Sequence, residues 1–203
     1  MGRRTAVRPR KEPRQERSRH MNETILEGAA RVLVREGPAA FTTNRVAEVA
    51  GVSVGSLYQY YPNKEAVLFR LHEREVQATW ATLGAILSDA SRTPRQRFEA
   101  AVRAFFEAEA EELPLRTALQ RAELYFDDTP EYREVESQAV GGVREFLREA
   151  LPPETRELDF KARLVQTVVS SVAERLTNRG VKRSELRKWA RVCSGMLCDY
   201  LGI

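Results

Sequence analysis

Residues 41–65 read F-T-T-N-R-V-A-E-V-A-G-V-S-V-G-S-L-Y-Q-Y-Y-P-N-K-E, and their punctuation marks two short helices joined by a tight turn. Thr42 and Thr43 are N-cap residue types for a helix carrying Val46, Ala47 and Ala50 on one face, and Gly51 stands where a helix needs a left-handed stop. The first helix of the pair therefore ends at Ala50. Ser53 caps the second, whose Leu57 and Tyr61 point inward at a spacing of four; Pro62 ends it and Asn63 caps the next. Val52 plugs the corner between the two.

A pair of this kind is a helix-turn-helix, which lays its second helix in a DNA major groove with its N-terminal residues on base edges, while the first helix crosses the phosphate backbone. The N-terminal residues are Ser53, Val54, Gly55 and Ser56. Their small side chains permit a close approach, with Val54 suited to a thymine methyl and Ser56 to either a donor or an acceptor. Tyr61 belongs to the core. Tyr58 and Tyr60 either stay near solvent, where a phenol donates to a phosphate oxygen, or merely cover the surface. Lys64 adds charge at the start of the following helix. Arg45, beside Thr43 and Asn44, is the strongest candidate on the first helix for a base or phosphate contact, with an ordinary solvated arginine as the alternative.

Preceded by I-L-E-G-A-A-R-V-L-V-R-E-G at residues 25–37, the run T-T-N-R-V-A-E-V-A-G-V-S-V-G-S-L-Y-Q-Y-Y-P-N-K-E-A-V-L resembles the DNA-binding domain of the tetracycline-repressor (TetR) family of bacterial regulators. The resemblance covers residues 18–71 and is dense. It implies contacts from Thr43, Asn44 and Arg45, then from Ser53, Val54, Gly55, Ser56, Tyr58 and Tyr60, then from Lys64. Tyr61 departs from the phenylalanine more common in the family, so its hydroxyl must find a partner or the solvent. Pro38-Ala39-Ala40 after Gly37 alters the link between the first two helices.

Charge is unevenly spread. The first twenty residues hold eight arginines and lysines against Glu12 and Glu16, a net of +6, while the whole chain is +4. Pro9 and Pro13 oppose a helix through that segment and apolar residues are scarce, so residues 1–17 read as a mobile basic arm. Such an arm follows phosphates or enters a narrow minor groove, with Arg14 and Arg17 as candidate contacts; the alternative is a solvated tail. The segment R-K-E-P-R-Q-E-R-S-R also resembles arms in one branch of the same family. No apolar stretch follows the charges as in a secretory signal.

With 203 residues, 42% of them hydrophobic, the chain is long enough to bury a sizeable core. No stretch approaches the ~20 apolar residues of a membrane span. Cys193 and Cys198, five apart in a helical pattern, read as reduced thiols of a cytoplasmic protein. Neither they nor His20 and His72 have metal-ligand spacing, so no metal or cofactor is expected. His72 reads as a surface or interdomain residue.

Beyond Glu65 the pattern is helical throughout. Val67, Leu68, Leu71, Val76, Trp80, Leu83 and Leu87 mark a long helix. Thr93-Pro94 opens another, Pro114 breaks it, and Asp127-Asp128-Thr129-Pro130 caps a helix that Pro152-Pro153 ends. Gly141-Gly142 marks a kink or a close helix approach. The last two helices carry wide apolar stripes, with Leu164, Val168, Val172 and Leu176 on the first and Trp189, Cys193, Met196, Leu197 and Tyr200 on the second. Paired across a two-fold axis they form a four-helix dimer interface, or else they bury within their own domain. The resemblance implies that the middle helices enclose a small-molecule effector pocket, for which Trp80, Phe98, Phe105, Leu119, Glu123 and Phe126 are candidate walls.

The expectation is an all-α protein with a basic arm (1–17), a three-helix helix-turn-helix domain (18–63) and a helical effector-binding and dimerisation domain (64–203). Its partners are an operator in double-stranded DNA, a second copy of the chain and a small-molecule effector, with no membrane. No catalytic motif is present in the sequence. The alternative is a constitutive or architectural DNA-binding protein without an effector.

Overall fold

The computed structural model describes residues 6–9 and 16–203, with the backbone alone given for Arg17. The described residues are helical with no strand. In chain order they form α1 (Glu16–Ala40), α2 (Thr43–Ala50), α3 (Val54–Tyr60), α4 (Lys64–Leu87), α5 (Pro94–Glu111), α6 (Leu113–Ala122), a 3-10 turn (Glu123–Tyr125), α7 (Pro130–Ala150), α8 (Leu158–Thr177) and α9 (Arg183–Leu201). The stop and start signals act where they were read. Gly37 departs from helical geometry at φ 74°, ψ 171° just before Pro38. Thr93 and Gln96 form a reciprocal capping box at the start of α5, and the Thr129 hydroxyl accepts from the Tyr132 N–H at 3.2 Å to open α7.

The chain divides into two compact units, one of Met1–Glu75 with Pro114–Val135 and the other of Val76–Leu113 with Glu136–Ile203. The division falls elsewhere than at residues 63 and 64, because the start of α4 and the stretch from α6 into α7 share one core with α1, α2 and α3. Apolar burial in this first unit comes from Ile25, Leu26, Leu33, Phe41, Val46, Leu57, Tyr61, Leu68 and Leu71. Next to them is an aromatic cluster in which Phe126 meets Phe69 at 5.9 Å, His72 at 5.5 Å and Tyr132 at 5.8 Å between ring centroids.

His72 is therefore buried, at 8% exposure, and not the surface or interdomain residue expected. It stands four residues after Leu68, on the same helical face. Residues 6–9 also differ from expectation, since Val7 is 1% exposed, and α1 already begins at Glu16. A mobile arm through residue 17 is corrected at those positions. Arg14 and the Arg17 side chain lie outside the described residues.

In the second unit, α5 packs on α9 and α8 around Phe98, Val102, Phe106, Phe146, Leu147, Val165, Leu186, Leu197 and Cys198. Gly142 is a point of close approach: a Cβ there would come within 2.6 Å of Trp80 Cζ3. Arg97, 5% exposed, donates through Nη1 to the Leu87 carbonyl at 2.9 Å and through Nη2 to Glu149 at 2.8 Å, while its Nε has no partner among the described residues. Cys193 and Cys198 are free and buried, and burial raises both thiols, Cys198 to about 11.

Burial, with a smaller contribution from Arg116, lowers His72 to about 4 from an ordinary 6.5. The neutral imidazole is the form that fits the fold. Above the ordinary value both folded and unfolded chains carry it neutral. As pH falls below that value the unfolded chain gains a proton that the folded chain refuses, and stability declines until the folded imidazole itself titrates. The total loss is about 3 kcal/mol. Urea unfolding of the wild type and of His72→Leu between pH 7.5 and 4.5 should show a gap in acid sensitivity of that order, with the wild type the more sensitive.

Candidate nucleic-acid interface

The turn between α2 and α3 is built by backbone geometry. Gly51 lies at φ 69°, ψ 29°, a left-handed conformation that costs glycine little. Its N–H donates to the Glu48 carbonyl at 3.2 Å and the next N–H, of Val52, donates to the Ala47 carbonyl at 3.0 Å, which satisfies the open end of α2. At the start of α2 the Thr42 hydroxyl accepts from the Arg45 N–H at 3.2 Å. At the start of α3 the Ser53 hydroxyl accepts from the Ser56 N–H at 2.9 Å. Asn63 Oδ1 then accepts from the Ala66 N–H at 2.8 Å and caps α4.

One face of α3 turns inward through Leu57, while Ser53, Val54, Gly55, Tyr58 and Gln59 are exposed. Val54 with Tyr58, and Gly55 with Gln59, are four residues apart and form one surface. Gln59 was not singled out from the sequence, although its spacing from Gly55 carries that signal. A Cβ added at Gly55 would meet nothing nearer than Ser53 Oγ at 3.8 Å. The Ser56 hydroxyl lies 2.8 Å from that of Ser53.

Other sequence candidates stand differently. Tyr60 is buried at 9% exposure with its hydroxyl 3.0 Å from Ser18 Oγ, so it binds α3 to α1 instead of facing outward. Thr43 is buried at 8%, and its hydroxyl is 3.1 Å from that of the exposed Tyr58, which it orients. Asn44 is exposed. Arg45 is held by Glu36 at 2.7 Å and Glu48 at 2.8 Å; hydrogen bonds to Glu48 and Glu36 raise its pKa. An outside anion must compete with both carboxylates for it. Lys64 Nζ sits 4.4 Å above the Tyr125 ring.

Residues 25–71 match the sequence profile of the bacterial regulatory proteins of the tetR family. The protein carries a TetR-family head. No curated protein matches the chain by sequence. Solved structures share the fold: the fatty acid degradation regulator FadR from Bacillus halodurans is 19% identical with a TM-score of 0.73, over 87% of this chain and 94% of that one. FadR from Bacillus subtilis, in complex with stearoyl-CoA, is 16% identical with a TM-score of 0.72, over 86% and 96% of the two chains. SmeT in a complex with triclosan is 21% identical with a TM-score of 0.69, over 89% and 91%.

Beyond the TetR-family head, the candidate pocket residues divide. Trp80, Phe98 and Phe105 count with the second unit, and Leu119, Glu123 and Phe126 with the first. Phe98 is stacked on Phe146 at 6.0 Å, and Phe126 is sealed in the aromatic cluster at 0% exposure, so both are engaged in packing. Leu119 is buried at 5%; Glu123, Trp80 and Phe105 are half-buried. A cavity of about 60 Å³ lies between α5 and α9, lined by Phe106, Leu186, Glu107 and Arg187 among others.

The apolar residues of α9 form two adjacent stripes. Leu186, Ala190, Cys193, Leu197 and Leu201 are buried in the core of the second unit, while Trp189, Val192, Met196 and Tyr200 are 45 to 67% exposed. Cys193 and Leu197 are therefore not on the outward face where they were expected. On α8, Leu164, Val168, Val172 and Leu176 are half-buried, and Phe160 is exposed at 51%. No group of three or more metal-ligating side chains is gathered among the described residues.

The TetR-family head is tied internally by Tyr61, 0% exposed, whose hydroxyl donates to Oδ1 of the buried Asn22. Burial raises the phenol pKa. Tyr61→Phe removes the donor and strands a buried acceptor, which costs about 1–3 kcal/mol. Adding Asn22→Leu removes the stranded acceptor, so denaturant unfolding should find the double variant recovering much of the loss.

Proposed function

We propose that the protein is a sequence-specific DNA-binding transcriptional regulator of the cytoplasm, a repressor that binds a pseudo-palindromic operator as a homodimer and is released by a small-molecule effector. The observation that carries this reading is the outer face of α3. Gly55 is exposed and its own chain leaves room for a side chain, so the smallness of this surface serves an external approach. Val54, Gly55 and Gln59 are the proposed base-edge contacts, with Ser53 and Ser56 at the helix start. Tyr58, Lys64 and Asn44 are proposed to hold phosphates.

The exposed stripe of Trp189, Val192, Met196 and Tyr200, with Phe160 on α8, supports a dimer through α8 and α9, because exposed large apolar groups in one row mark an association surface. Two-fold pairing presents two α3 helices to half-sites ~34–36 Å apart or multiples of that distance. An effector gains support from the fold shared with proteins whose structures hold stearoyl-CoA and triclosan. It need only bind better to one head spacing than the other. Trp80 and Phe105, half-buried on α4 and α5, are the proposed wall residues. A second reading, a constitutive DNA-binding protein without an effector, is favoured by the packing of Phe98 against Phe146 and of Phe126 inside its aromatic cluster. Neither reading gives the protein enzymatic activity.

Operator selection followed by duplex titration tests the proposal. Lys64→Ala and Tyr58→Phe should weaken cognate and scrambled duplex alike, and Lys64→Ala should flatten the slope of log K against log salt by about 0.9. Val54→Ala should change the preferred base at one position by about 1–3 kcal/mol while sparing the scrambled duplex. Equal losses on both duplexes for Val54→Ala would remove it from base recognition.

Sedimentation reports on assembly. Trp189→Glu with Met196→Glu should yield a monomer that keeps its helicity and loses the gain in affinity from joining two half-sites. A variant that remains dimeric places the interface elsewhere.

A further inference from the structure

Residues 6–9 precede the first helix, yet they are docked on the first unit. Val7 is 1% exposed. The Ala6 carbonyl accepts from Asn63 Nδ2 at 2.9 Å, the same asparagine whose Oδ1 caps α4. Arg8 reaches the first turns of α7, with Nε 3.3 Å from Glu131 Oε1 and Nη2 donating to Glu134 Oε2 at 3.2 Å. A short segment thus clips the corner between α3 and α4 to the start of α7, through one buried side chain, one backbone acceptor and one guanidinium between two carboxylates.

The surface under Arg8 is acidic. Residues 127–134 contain Asp127, Asp128, Glu131 and Glu134 against Arg133. Two carboxylates offer a guanidinium the acceptor geometry that a phosphate group offers. The Arg8 side chain is 69% exposed, so its ion pairs are screened by salt and open to exchange. Ordering four residues opposes the docking, and Val7 is its main apolar anchor. A contact this finely balanced yields to a dense polyanion.

We propose that residues 6–9 form an autoinhibitory strap, in which the carboxylates of α7 occupy an arginine of the basic arm and DNA phosphates displace them. The proposal rests on the DNA-binding reading above. Free protein keeps Arg8 on Glu131 and Glu134. Duplex binding releases Val7 and Arg8 together, because Val7 fixes the segment's position and Arg8 follows one residue later. The strap's release adds the Arg8 charge to the DNA grip. Part of the intrinsic affinity for DNA is spent on opening the strap.

The test uses the full chain and a short duplex of selected sequence. Val7→Ser opens the strap without changing charge, and Glu131→Gln with Glu134→Gln opens it from the other side. Asp127→Asn with Asp128→Asn makes the same charge change nearby without touching it. In free protein the first two variants should speed tryptic cleavage at the flanking Arg4–Thr5 and Arg10–Lys11 bonds, since the Arg8–Pro9 bond resists trypsin. Each should also tighten duplex binding by about threefold or more at low salt, while the control changes it less than about twofold. The proposal is overturned if Val7→Ser speeds cleavage but leaves binding unchanged or weaker, or if the glutamine pair does no more than the asparagine control. If the wild type binds no duplex at low salt, the DNA-binding reading falls, and the strap's role falls with it. That failure is visible in the wild type alone, whereas failure of the strap appears only in the variants, with wild-type binding intact.

Discussion

The left-handed backbone at Gly51 is the constraint on which the head depends. A helix that ends in the open leaves its last carbonyls without donors. Here the N–H groups of Gly51 and Val52 turn back to the Glu48 and Ala47 carbonyls, and the chain leaves α2 in a new direction within two residues. Ser53 then opens α3 with a side-chain cap. A side chain at residue 51 would not be crowded, since a Cβ there meets nothing within 4 Å, but it would be strained at φ 69°. The turn therefore selects glycine through backbone conformation and not through space.

Polar groups then fix α3 against the rest of the head. Tyr61 bonds Asn22 of α1 inside the core, Tyr60 reaches Ser18 on the same helix, and Tyr58 meets Thr43 of α2. Three phenols in four residues thus fasten α3 to two neighbours, and each bond restricts the rotation of a seven-residue helix too short to be stable alone. What remains outside is a strip from Ser53 to Gln59 with little bulk at its start. Rigid support beneath a small exposed surface is what a groove-reading helix needs, because a site loosened by even an ångström loses its discrimination.

The helices and their ends were legible because each is announced by local chemistry: Thr42, Gly51, Ser53, Pro62, Asn63, Thr93-Pro94 and Thr129 act through their own backbone neighbours. The assignment of faces was less legible. On α9, the positions of Cys193 and Leu197 differ from those of Val192 and Met196 by a single residue in sequence, about 100° around the helix. With apolar residues on both sides of that step, the two stripes read as one. Tyr60 and His72 were misplaced for a related reason, since their polar atoms suggested solvent while their helical positions lay beside core residues. Val7 had no periodic neighbours to betray its burial.

By itself the sequence determined an all-α chain, the turn geometry between α2 and α3, the resemblance of the head to the TetR family, and the residue types offered at the start of α3. These follow from capping, backbone preference and spacing, whose ranges are a few residues. Only the tertiary structure decided which tyrosine faces outward, which stripe of α9 is left uncovered, that His72 is sealed beside Phe126 and Tyr132, and that Arg8 lies on α7. Those outcomes depend on contacts between segments as far as 126 positions apart, where burial and charge pairing are set by neighbours that no local pattern contains.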